Sequence, residues 1–73
     1  MGHAVTNRIR DLRAAHGEMT QQALADRIGV TRQTVNAIEL GKYSPSLEMA
    51  FQIAAVFDVP LGDVFQWNGT VTR

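Results

Sequence analysis

The chain contains no cysteine. That absence removes disulfides, thiolate nucleophiles, thiol redox motifs and cysteine-based zinc sites together, and it suits a reducing, cytoplasmic setting. Charge of one sign is also missing: 7 basic and 7 acidic side chains cancel, so the strongly basic balance of many nucleic-acid binders is not there. Apolar runs are short, the stretch from Ile53 to Phe57 among them, far below the roughly 20 residues that span a bilayer. The N-terminus has no continuous apolar stretch that reads as a signal peptide. His3 and His16 are the only histidines, and neither stands at metal-ligand spacing to the other or to a carboxylate. Ser44 and Ser46 have no base in a recognisable arrangement, so no metal, no cofactor and no enzymatic activity are expected.

What is present suits one small globular domain. The chain has 73 residues, 45% of them hydrophobic, too many for disorder and too few in number for a second core. A core of this size supplies only a few kcal/mol of net stability, which makes self-association an expected supplement. Met1-Gly2-His3-Ala4-Val5-Thr6 matches an N-myristoylation pattern, but so short a pattern reads as an accident of the start site or a cloning remnant. Charge is unevenly placed. Residues 1–43 carry six basic side chains against Asp11, Glu18, Asp26 and Glu39, whereas residues 44–73 carry Arg73 against Glu48, Asp58 and Asp63. A surface for a polyanion therefore belongs in the first half.

Apolar residues recur at three- and four-residue spacings and nowhere alternate as in a strand, which predicts an all-α fold of five short helices. The first covers residues 6–16, with Val5, Ile9 and Leu12 as its apolar stripe and Gly17 as terminator. The second covers residues 21–28 behind a Thr20 cap, buries Leu24, Ala25 and Ile28, and ends at Gly29. The third starts after a Thr31 cap and reaches residue 40, with Val35 and Ile38 inward and Gly41 as its stop. Ser46 caps a fourth over residues 47–57, where Leu47, Ala50, Phe51, Ala54 and Phe57 suggest a helix buried nearly all round. Pro60 opens a short fifth helix to residue 65, and residues 66–73 read as a frayed tail apart from Trp67.

The informative stretch is residues 21–40. A helix-turn-helix needs two short helices joined by a tight turn so that the second can lie in the major groove. The first helix needs a small residue at the crossing, and Ala25 supplies it. The turn needs a residue tolerant of positive φ and an apolar side chain to anchor it, and Gly29 and Val30 supply those. The second helix needs one buried stripe, Val35 with Ile38, and a polar remainder, here Arg32, Gln33, Thr34 and Asn36. Any one of these is weak evidence; the four together are specific.

The segments Met19-Thr20-Gln21-Gln22-Ala23-Leu24-Ala25, Ile28-Gly29-Val30-Thr31-Arg32-Gln33-Thr34-Val35, Ile38-Glu39-Leu40-Gly41-Lys42 and Pro45-Ser46-Leu47 closely resemble the Cro/repressor-type (XRE-like) helix-turn-helix family. The resemblance covers residues 5–65. It implies a compact, five-helix, lambda-repressor-like domain that binds double-stranded DNA at a palindromic operator as a homodimer and regulates transcription. It further implies DNA contacts from Gln21, Thr31, Arg32, Gln33, Thr34, Asn36, Lys42 and Tyr43, and a structural ion pair between Arg13 and Glu39, for which Arg10 is the competing partner. The chemistry agrees, because glutamine and asparagine can pair with adenine, arginine with guanine, and the Thr methyl with thymine. Gln21 at a helix N-terminus suits a phosphate.

Leu61, Val64, Phe65 and Trp67 form a candidate dimer surface, since aromatic residues outside a small core are enriched at interfaces. No small-molecule pocket and no membrane partner are expected. A phage-type repressor, the antitoxin of a toxin–antitoxin operon and a restriction–modification controller fit equally. The alternative from another class is a protein-interaction module of the same fold, which the zero net charge favours.

Overall fold

The structure, a computed structural model, describes residues 5–69. The Gly2 and His3 pattern and the last residues of the tail, Arg73 included, lie outside the described residues. In chain order the elements are β1 (Val5–Asn7), α1 (Ile9–Ala15), α2 (Gln21–Ile28), α3 (Arg32–Glu39), α4 (Leu47–Phe57), α5 (Leu61–Val64) and β2 (Phe65–Trp67). The five helices agree with the periodicity, and α2, α3 and α4 start at the expected caps. Thr20 Oγ1 accepts the Ala23 N–H at 3.0 Å, Thr31 Oγ1 that of Thr34 at 3.3 Å, and Ser46 Oγ that of Met49 at 3.1 Å. Each cap satisfies one of the amide donors that a helix N-terminus leaves unpaired.

The all-α expectation is corrected at both ends of the domain. Val5, Thr6 and Asn7 do not begin a helix; they pair antiparallel with Trp67, Gln66 and Phe65. The apolar spacing of Val5, Ile9 and Leu12 mimicked a helical stripe, but Val5 stands exposed in β1 while Ile9 is fully buried. Asn7 sets the boundary: its Oδ1 accepts the Ile9 N–H at 3.1 Å, which caps α1 from two residues upstream. Gln66 and Trp67 are accordingly strand residues rather than frayed tail.

The core comprises Ile9, Leu24, Ala25, Val35, Ile38, Ile53, Ala54, Phe57 and Val64, with one or more residues from every helix. Val64 is fully buried, so it cannot belong to the dimer surface expected from sequence; the short α5 turns it into the core. Leu61 and Phe65 also pack against the core, and of that group Trp67 alone is largely exposed, at 58%. Helix α4 is likewise one-sided rather than central. Ala50, Ile53, Ala54 and Phe57 face inward at the helical period, whereas Leu47 and Phe51 are 68% and 54% exposed.

Three helix ends share one device. At Gly29 (φ 74°), Gly41 (φ 75°) and Asp58 (φ 56°) the backbone turns left-handed, and the following N–H reaches back to satisfy a terminal carbonyl: Val30 to Ala25, Lys42 to Ala37 and Val59 to Ala54. An added Cβ at Gly29 would meet nothing within 4 Å, so its replacement costs only backbone strain. Gly29→Ala is expected to lose about 1 kcal/mol of unfolding free energy in a urea titration. A variant as stable as the parent chain would show that the turn does not need its left-handed residue.

Candidate nucleic-acid interface

Helix α3 is packed through Val35 and Ile38 and presents Arg32, Gln33 and Asn36 to solvent. The Thr31 cap sits beside Thr34, the two hydroxyls 3.1 Å apart, and Thr34 is half-buried. Arg32 and Gln33 are exposed and have no side-chain hydrogen bond among the described residues, so Gln33 keeps both its amide donor and its carbonyl acceptor free. At the far end, the turn at Gly41 carries Lys42 and Tyr43 away from α3, and both are exposed.

Arg13 holds this helix in place. Its Nε donates to Glu39 Oε2 at 2.7 Å and its Nη2 to Oε1 at 3.0 Å, a two-pronged pair, while Nη1 donates to the Met19 carbonyl at 2.8 Å. Thus one guanidinium ties α1 to the C-terminal turn of α3 and to the strand-like approach to α2. The structure decides between the two arginines: Arg13 is the partner of Glu39. Their side chains are only 15% and 8% exposed, which is why the fork geometry matters: two charges withdrawn from water must be matched closely.

Gln21 joins the same cluster. Its Nε2 donates to Glu39 Oε1 at 3.2 Å and to Asn36 Oδ1 at 3.1 Å. This brings the first residue of α2 against the exposed side of α3 and fixes how Asn36 is held. That bond takes one of the two lone pairs of the Asn36 carbonyl and orients the side chain, whose Nδ2 has no partner among the described residues and can donate outward. Ala25 and Gly29, expected as structural residues, occupy the core and the turn between the two helices.

Asn7 was not singled out in the sequence. Its Nδ2 donates to the Ile38 carbonyl at 3.1 Å and the Glu39 carbonyl at 3.5 Å, so β1 caps the C-terminal end of α3. An asparagine two residues before an apolar helix start is a visible capping signal. Its second contact, 31 residues away in sequence, has no local signature. His16 has a capping role too, its Nδ1 2.9 Å from the Leu12 carbonyl and its ring 5.1 Å from that of Phe57.

Residues 9–64 match the helix-turn-helix family model. An uncharacterized HTH-type transcriptional regulator of Methanocaldococcus jannaschii is 51% identical over 59 residues, which are 81% of this chain and 88% of that protein. The transcriptional repressor RstR of the cryptic phage CTXphi, from Vibrio cholerae, is 36% identical over 59 residues, 81% of this chain and 52% of its own length. Among solved structures, a candidate DNA-binding protein of Bacteroides fragilis superposes with a TM-score of 0.74 at 26% identity, over 85% of this chain and 98% of that one. Sequence spacing, the geometry of α2 and α3 and these likenesses agree: the chain belongs to the XRE-type helix-turn-helix family of DNA-binding transcriptional regulators.

Proposed function

We propose that the chain is a repressor that binds a palindromic operator as a homodimer, reading bases with α3. The observation that carries this is the state of Gln33: exposed, near the N-terminus of a helix whose other face is locked into the core, with both ends of its amide free. Such a side chain can pair bidentately with adenine N6 and N7 in the major groove. Arg32 beside it suits guanine or a phosphate, and the Thr31 and Thr34 pair suits a thymine methyl or a phosphate oxygen. Gln21, Lys42 and Tyr43 flank the helix as backbone contacts, and Asn36, held by Gln21, serves as a donor. The likeness to a phage repressor supports repression. The dimer follows from span: one recognition helix covers a few base pairs, and two set about 34 Å apart read a symmetric site. The exposed Val5, Leu47, Phe51 and Trp67 are apolar surface available to a second copy.

Selection from a random duplex pool tests the reading. A palindromic consensus bound at two chains per site, with affinity falling steeply with salt, is the expected result. Absence of any enriched sequence would favour the protein-interaction module instead. On the selected site, Gln33→Ala is expected to cost about 1–3 kcal/mol and to flatten preference at one position in each half-site. Unchanged affinity and preference would remove Gln33 from the interface.

A further inference from the structure

Because Arg13 takes Glu39, the competing Arg10 is left free. It lies three residues earlier on α1 and therefore on the same face as Arg13. Arg8 stands at the N-cap of α1, where its backbone N–H donates to the Val64 carbonyl at 2.9 Å and pins the point from which its side chain departs. Both side chains are exposed, and neither has a hydrogen bond or ion pair among the described residues. Together with Asp11, Gln21, Asn36 and Glu39 they line an open concavity of about 530 Å³ between α1 and α3.

The charges there do not cancel. Glu39 is neutralised by Arg13 at 2.7 Å, which leaves two free guanidinium groups against the exposed Asp11. The rest of the lining is mainly polar, with the amides of Asn7, Gln21 and Asn36 beside one apolar side chain, Leu40. An open, polar, cationic concavity of this size suits a stretch of sugar–phosphate backbone, not the enclosed apolar pocket of a small molecule. Guanidinium groups also bind phosphate oxygens with two parallel hydrogen bonds, which fixes orientation as well as adding attraction.

We infer that this concavity receives a DNA backbone phosphate, gripped by Arg8 and Arg10. The inference rests on the DNA-binding reading above and adds a second backbone clamp, on the α1 side of the recognition helix. Together with Lys42 beyond the C-terminal end of α3, it would help set the angle of the helix in the groove, the positioning work that phosphate contacts do.

The test uses Arg8→Gln and Arg10→Gln, singly and together, in the full chain. Binding is measured over a potassium chloride series to the selected operator and to a random duplex of equal length. Each substitution is expected to lower the slope of log K against log salt by about 0.9 and to weaken both duplexes by the same factor, leaving their ratio unchanged. Arg10→Lys, which keeps the charge and loses the fork, is expected to keep the slope. Thermal melting is expected to match the parent, since both side chains are exposed. A folded double variant with the parent's slope and affinity overturns this inference while the parent's operator binding stands. A parent chain that binds no duplex overturns the DNA-binding reading and this one together. Inorganic phosphate alone is expected not to saturate the site; submillimolar saturation that Arg10→Gln abolishes would replace the DNA backbone with a free anion.

Discussion

Phe57→Ala is expected to remove about 3–5 kcal/mol of unfolding free energy, a large share of what holds the domain together. Phe57 is among the largest fully buried side chains, in the last turn of α4, and the His16 ring lies against it. Truncation deletes the transfer energy of the ring and leaves a void that so small a core cannot refill by collapse. A domain of this size has roughly 4–11 kcal/mol in total, so the variant should melt far below the parent and lose DNA binding wherever it unfolds. Phe51 on the same helix is the control. It is more than half exposed, and Phe51→Ala is expected to change monomer stability by no more than about 0.5 kcal/mol. Urea titrations at concentrations low enough to keep the chain monomeric make the comparison. Equal losses in the two variants would mean that α4 is buried all round, as its composition alone suggests.

Arg13→Met carries the second large effect, about 2–3 kcal/mol, and it acts through the charge left behind. Without the guanidinium, the Glu39 carboxylate is nearly buried with only the Gln21 amide to answer it, and the Met19 carbonyl loses its donor. The double variant Arg13→Met with Glu39→Met is expected to recover much of the loss, because replacing both charges by apolar groups removes the desolvation penalty along with the attraction. A double-mutant cycle therefore reads the coupling directly, at about 1–3 kcal/mol. Additive effects would show that the pair contributes no joint stabilisation. DNA affinity adds information that stability does not contain. If the cluster of Arg13, Glu39 and Gln21 sets the pose of α3, the double variant should fold well and still bind its operator more weakly than the parent.

How much of this was legible beforehand varies with the range of the interaction involved. Helices α2, α3 and α4 were readable nearly to the residue, because Thr20, Thr31 and Ser46 cap their own chain three residues on, and Gly29 and Gly41 end helices by their own backbone freedom. The terminal sheet was not readable. Val5 and Trp67 are partners across the length of the chain, and a three-residue strand is too short to show an alternation of its own. The same range effect separates the two halves of Asn7: its cap on Ile9 is local, and its grip on the end of α3 is not.

The candidate site divides along the same line. Spacing alone placed a polar face on α3 and a small residue, a left-handed turn and an apolar anchor before it, since each of these is a demand of local geometry. The assignment of Glu39 to Arg13 rather than Arg10, the engagement of Asn36 by Gln21, and the burial of Val64 away from any surface were decided only in three dimensions. Each depends on the angle at which α1, α2 and the chain ends cross α3. That angle is set by the packed core of Ile9, Leu24, Val35, Ile38 and Phe57 acting together, and no single segment of sequence contains it.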